Sequence, residues 1–100
     1  MRLKFKSTFT ERLSRQVSYI ANDSPSRARK FKNDLIKQLK KIPKNPYSFR
    51  KSIYFDDKNI RDLIFKRYCI VFRINIAENS IEIFGFTKYQ ENPTDETSMQ

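Results

Sequence analysis

The sequence predicts an α+β fold: an N-terminal strand, an αα-hairpin, then an antiparallel β-meander packed against the helices. Three observations lead there. Apolar residues recur at helical spacing in two consecutive segments between residues 8 and 43, with only a few residues between them. From residue 60 to residue 88, apolar runs with strand character alternate with short turns. A short alternating segment precedes the helices. A chain of 100 residues holds one modest core. We therefore expect a single domain over residues 1–90 and a polar, acidic tail over 91–100.

The first strand is "RLKFK", where Leu3 and Phe5 alternate with Arg2, Lys4 and Lys6. The first helix follows in "TFTERLSRQVSYIAN". Thr8 stands three residues before Glu11, the spacing of a capping box, and Phe9, Leu13, Val17, Ile20 and Ala21 fall on one face. Asp23 and Ser24 end it. The second helix restarts at once, with Ser24 as N-cap and Pro25 in the first helical position. Its apolar stripe is Ala28, Phe31, Leu35, Leu39 and Ile42, and Pro43 closes it. "KNPYSFRKS" reads as a loop around Pro46. "SIYFDD" reads as a short strand with Asp56, Asp57, Lys58 and Asn59 as its turn. Strands at 60–65, 68–76 and 80–88 complete the sheet. On the middle one, Tyr68, Ile70, Phe72, Ile74 and Ile76 share the core face, and Cys69, Val71, Arg73 and Asn75 the other. Gly85 in the last strand marks a bulge or a close approach of backbone.

Charge is the strongest compositional signal. Twenty-one Lys and Arg face eleven Asp and Glu, a net +10. The excess is concentrated: residues 1–50 hold fourteen cations and three acids. The polar face of the second helix alone presents Arg27, Arg29, Lys30, Lys32, Lys37, Lys40 and Lys41 against Asp34. Such a surface calls for a polyanionic partner, nucleic acid or an acidic protein. A single Cys and no His exclude an intrachain disulfide and the common structural zinc patterns. Cys69 has no His to activate it and reads as a small apolar filler. Asp56, Asp57 and Asp62 read as turn acids facing lysines rather than metal ligands. No metal and no cofactor is expected. No apolar run reaches the length of a signal peptide or a membrane span, so the expected compartment is the cytoplasm.

The stretch "IRDLIFKRYCIVFRI" (60–74) carries four cations in what should be core strands. Lys66 and Arg67 fall at the hairpin tip, where charge costs little, and Arg73 on the polar face. Arg61 is the exception. With Lys66 and Arg67 as a two-residue loop, Leu63 pairs with Ile70 and Arg61 with Phe72, which sets a guanidinium at the edge of the core. Buried there, it needs a partner. Asp56 or Asp57 could supply a carboxylate, and a one-residue slip would turn Arg61 outward.

Strand, two helices and meander, in this order and with these residues, resemble the RelE/ParE superfamily of bacterial type II toxins. The second helix carries the resemblance through Ser24, Pro25, Ala28, Phe31, Leu35, Leu39, Pro43 and Pro46. The hairpin carries it through Arg61, Leu63, Tyr68, Val71, Phe72 and Ile74, and "IEIFGFTKYQENP" resembles the closing strand with its basic residue and "NP" end. It covers residues 1 to about 93 of the chain. The resemblance implies a twisted antiparallel sheet backed by a helical hairpin, and a cognate antitoxin, often acidic where it grips the toxin. It implies one of two activities. RelE-like members cut mRNA on the ribosome without a metal; ParE-like members inhibit DNA gyrase and cut nothing. The first is the leading expectation here and gyrase inhibition the alternative.

RNA cleavage needs a base for the 2′-hydroxyl, cations for the phosphorane and an acid for the leaving oxygen. The resemblance assigns these tasks to Arg61, Lys88 and Tyr89, which we expect to share a shallow cationic site on the sheet. It leaves Arg50, Lys51, Lys66, Arg67, Arg73, Lys30, Lys37 and Lys41 for binding nucleic acid or partner. The chain departs from the family pattern at Cys69, where Arg is common, and in lacking any His. Lys51 and Lys58 only approximate the paired lysines that precede the hairpin.

Overall fold

The computed structural model describes residues 1–88. Strand β1 (Arg2–Phe5) leads into helices α1 (Ser7–Asp23) and α2 (Pro25–Leu39). Two short 3-10 turns, Ile42–Lys44 and Pro46–Ser48, carry the chain to β2 (Arg50–Lys51), β3 (Ile60–Phe65), β4 (Tyr68–Asn75) and β5 (Ser80–Lys88). The five strands form one sheet in the order β1-β5-β4-β3-β2. The meander is antiparallel as expected. β1 instead lies parallel to β5 at the far edge, with Leu3 opposite Ile81 and Phe5 opposite Ile83. The helical hairpin is the crossover that makes a parallel pair possible, and it covers one face of the sheet.

The hairpin register is the expected one. Leu63 faces Ile70 and Arg61 faces Phe72, with Lys66 in the left-handed region at the tip (φ 54°). The core between helices and sheet joins Phe9 and Leu13 of α1, Phe31, Leu35 and Leu39 of α2, and Ile70, Phe72, Ile74, Ile81, Ile83 and Phe86 of the sheet. Leu35, Leu39 and Ile42 are fully buried; truncating any one to Ala removes about 2–5 kcal/mol. Ser24 caps α2 by accepting from the Arg27 amide (3.3 Å), and Pro25 occupies the first turn.

Three local expectations are corrected. The capping box at Thr8 and Glu11 does not form. α1 begins one residue earlier, at Ser7, without a side-chain cap, and Thr8 Oγ1 donates to the Phe84 carbonyl (2.7 Å). That carbonyl is available because β5 bulges at this point: Val71 faces Gly85 and Phe72 faces Ile83, so Phe84 is the extra residue. "SIYFDD" is not a strand; the short pairing falls at Arg50–Lys51, and residues 52–57 run as irregular chain. Ile76 lies past the end of β4 and is 64% exposed.

The sheet's second face is not simply polar. Ile60, Cys69 and Val71 are buried there with Phe84 packed against them. The segment after β2 contributes Phe55, whose ring meets Phe84 edge-on at 5.7 Å. Gly85 is the close approach expected of it: a Cβ added there would lie 2.9 Å from the Cβ of Val71.

Candidate functional site

Arg61 points to the helix side of β3, where the register places it beside Phe72. Its guanidinium is held by backbone, not by Asp56 or Asp57. Nε donates to the Lys58 carbonyl (2.8 Å) and Nη1 to the Phe49 carbonyl (3.0 Å). The Tyr47 ring lies 5.1 Å away, within cation–π range. Asp57 meanwhile accepts from the Asn59 amide (2.8 Å) and closes its own turn. Arg61 thus ties β3 to the segments on both sides of β2. The Tyr47 carbonyl also accepts from Nη1 at the longer distance of 3.5 Å; carbonyls satisfy the charge because several N–H donors in one plane can reach two segments at once.

On the opposite face, Asp62 is buried, with Oδ2 accepting from Arg50 Nη2 (3.2 Å) and from the Ile53 amide (3.1 Å). Oδ1 has no nitrogen or oxygen donor among the described residues. The Cys69 thiol adjoins this carboxylate, a weak donor at best. Burial, and next the negative charge of Asp62, push that thiol up to about 12, so Cys69 stays protonated and unreactive at neutral pH. Arg50 and Asp62 fasten the chain that crosses this face.

The remaining expected residues are dispersed. Lys66 spreads over the Phe31 and Phe65 rings at the hairpin tip, at 6.0 and 5.6 Å. Arg67 is exposed beside it. Arg73 lies on the second face, 3.9 Å from Glu82. Lys51 is exposed opposite Arg61. Lys30 pairs with Asp34 one turn along α2 (3.1 Å), and Lys37 in its last turn and Lys41, in the turn just past its end, are exposed. Lys88 faces Tyr68, whereas Arg61 faces Phe72. Four residues of β4 separate these positions, about 13 Å at the rise of a strand, and the two side chains flank β4 from different strands. Arg61 and Lys88 thus stand on different strands, four residues apart along β4, with no hydrogen bond or ion pair between them among the described residues. Tyr89 lies outside the described residues.

Lys88 has other neighbours. It lines a groove of about 520 Å³ with Arg12, Arg15, Gln16 and Tyr19 of α1 and Tyr68, Phe86 and Thr87 of the sheet. The four α1 residues stand at i, i+3, i+4 and i+7, one stripe of the helix. That spacing is present in "ERLSRQVSY", beside an apolar stripe that already accounts for the helix. The Tyr68 ring is stacked on Phe86, with centroids 4.9 Å apart and planes 11° off parallel. Burial, with Tyr19 second, raises the Tyr68 phenol above its usual range, so its hydroxyl remains a donor.

A helical hairpin on one face of a five-stranded sheet, with β1 closing beside the last strand, is an α+β architecture of the RelE/ParE type. The family model described as "ParE toxin of type II toxin-antitoxin system, parDE" matches residues 3–93, and the chain belongs to that family. It is the toxin component of a type II toxin–antitoxin system, and its family implies a cognate antitoxin. No curated protein matches the chain.

Proposed function

We propose that this toxin arrests growth as a ParE-like, non-enzymatic inhibitor of DNA gyrase, relieved by an acidic cognate antitoxin. The observation that carries this reading is the engagement of Arg61. Its Nε and Nη1 are engaged by the Lys58 and Phe49 carbonyls, so the cation best suited to clamp a phosphorane is drawn into the scaffold with only Nη2 left over. Lys88 stands two strands from Arg61 and four residues along β4, a placement that favours binding over metal-free RNA cleavage, which depends on cations converging on one phosphate. A toxin that works by binding has no such requirement and needs only a rigid surface. The net +10 supports an acidic antitoxin through long-range attraction.

The test is pulse labelling after induction, paired with a supercoiling assay on purified gyrase. DNA synthesis should fall before protein synthesis, and the toxin should inhibit supercoiling in vitro. Translation falling first, with cleaved mRNA on ribosomes, would replace this reading with the endonuclease.

A further inference from the structure

We propose that the groove between α1 and the end of β5 binds the phosphodiester backbone of single-stranded nucleic acid. Arg12 and Arg15 line it from the helix and Lys88 from the strand, and no acid among the described residues lines it. None of the three cations is in an ion pair among the described residues. Elsewhere on the surface cations do find acids: Lys4 with Glu78, Arg27 with Asp23 and Lys30 with Asp34. Three unpaired cations around one concavity form an anion site in which Arg12 and Arg15 can each present a two-pronged fork.

The aromatic residues narrow the anion to nucleic acid. Tyr19 is 73% exposed at the rim, a flat ring open for a base to stack on. Tyr68 is fixed by its stacking on Phe86 and offers a hydroxyl donor from the floor. Basic residues interleaved with an exposed ring are the elements of a single-strand platform. An acidic peptide would use the cations and leave the Tyr19 ring idle. This site stands independently of which target the toxin poisons, because the binding is measured on the isolated protein.

The experiment is fluorescence anisotropy of a labelled oligouridylate and the matching oligothymidylate against the full chain over a salt series. Arg12→Gln with Arg15→Gln should weaken binding and reduce the salt slope by about 0.7 per cation removed. Tyr19→Ala should weaken it roughly tenfold at unchanged slope. The control, Lys44→Gln with Lys58→Gln, removes the same charge from exposed positions elsewhere and should leave the slope unaltered. Melting temperatures verify that each variant is folded. Binding of RNA alone, DNA alone or both, each dependent on Arg12 and Arg15, supports the site and names its source. No binding by the wild type overturns it, as does an Arg12/Arg15 variant that behaves like the control. Oligoglutamate displacing the probe more strongly than unlabelled oligouridylate also overturns it and assigns the groove to an acidic protein.

Discussion

Arg61 donates to the carbonyl of Phe49 across 3.0 Å, bridging from β3 to the chain twelve residues earlier. With its second bond to Lys58, the side chain spans the segment that covers the sheet's second face. Arg61→Lys offers one ammonium where a plane of donors served two carbonyls. We expect a loss of about 1–3 kcal/mol and faster proteolysis within residues 47–58. Toxicity should fall with stability and recover at lower growth temperature. Toxicity lost at an unchanged melting temperature would instead make Arg61 a functional group.

Gly85 and Val71 meet too closely for a second Cβ. Gly85→Ala places that atom 2.9 Å from the Val71 Cβ, and overpacking of this kind costs about 1–3 kcal/mol. Adding Val71→Ala should restore only part of it, because the shortest contact is to the Cβ that Ala retains. Denaturant unfolding of the two single variants and the double variant measures this. Full recovery in the double variant would show that the Val71 methyl, at 3.0 Å, was the whole obstacle.

Asp62 is buried with Arg50 as its charge partner. Arg50→Met leaves the carboxylate chiefly with the Ile53 amide, and an uncompensated buried charge costs about 3–5 kcal/mol. Arg50 is partly exposed, so the lower end of that range is expected. Arg50→Met with Asp62→Leu should be less destabilised than Arg50→Met alone. A double variant worse than the single would show that the carboxylate is needed for the Ile53 amide more than for Arg50.

The Cys69 thiol titrates at about 12 in the fold and near 8.5 when unfolded. The fold favours the protonated form, so its contribution is complete below about pH 8.5 and is lost as pH rises through the window between these values. Cys69→Ala should show a shallower alkaline loss of stability than the wild type. Maleimide should label the native protein at neutral pH only at the rate of unfolding. Rapid labelling of folded protein would contradict the burial.

The basic face of α2 acts through charge, not packing. Lys30→Glu with Lys37→Glu and Lys41→Glu should weaken association with an acidic partner and flatten its salt dependence. Stability should change by about 1 kcal/mol or less: Lys37 and Lys41 are exposed, and Lys30→Glu sets two acids one turn apart with Asp34, a cost of about 0.5 kcal/mol. A large drop in melting temperature would mean that these lysines are part of the helix packing.

Several elements were legible because their causes are local. Ser24 and Pro25 start α2 by satisfying and tolerating the free amides of a helix end. The stripe from Ala28 to Leu39 fixes which face packs. A two-residue tip at Lys66 and Arg67 and a period of two fix the register of β3 on β4, down to Arg61 opposite Phe72.

Contacts between residues far apart in the chain decided the rest. The spacing of Thr8 and Glu11 suits a capping box, but a carbonyl freed by the bulge at Phe84, 76 residues away, takes the Thr8 hydroxyl. Cys69 and Val71 alternate onto the face that should be wet, yet they are buried with Phe84 packed against them and Phe55 against the Phe84 ring. The sequence by itself determined the elements, the excess of charge and the family resemblance. Only the tertiary structure decided that Arg61 binds carbonyls and that Arg12, Arg15 and Tyr19 meet Tyr68 and Lys88 in one groove. Spacing and periodicity specify which way a side chain leaves its own element. What it meets depends on how elements more than fifty residues apart come together.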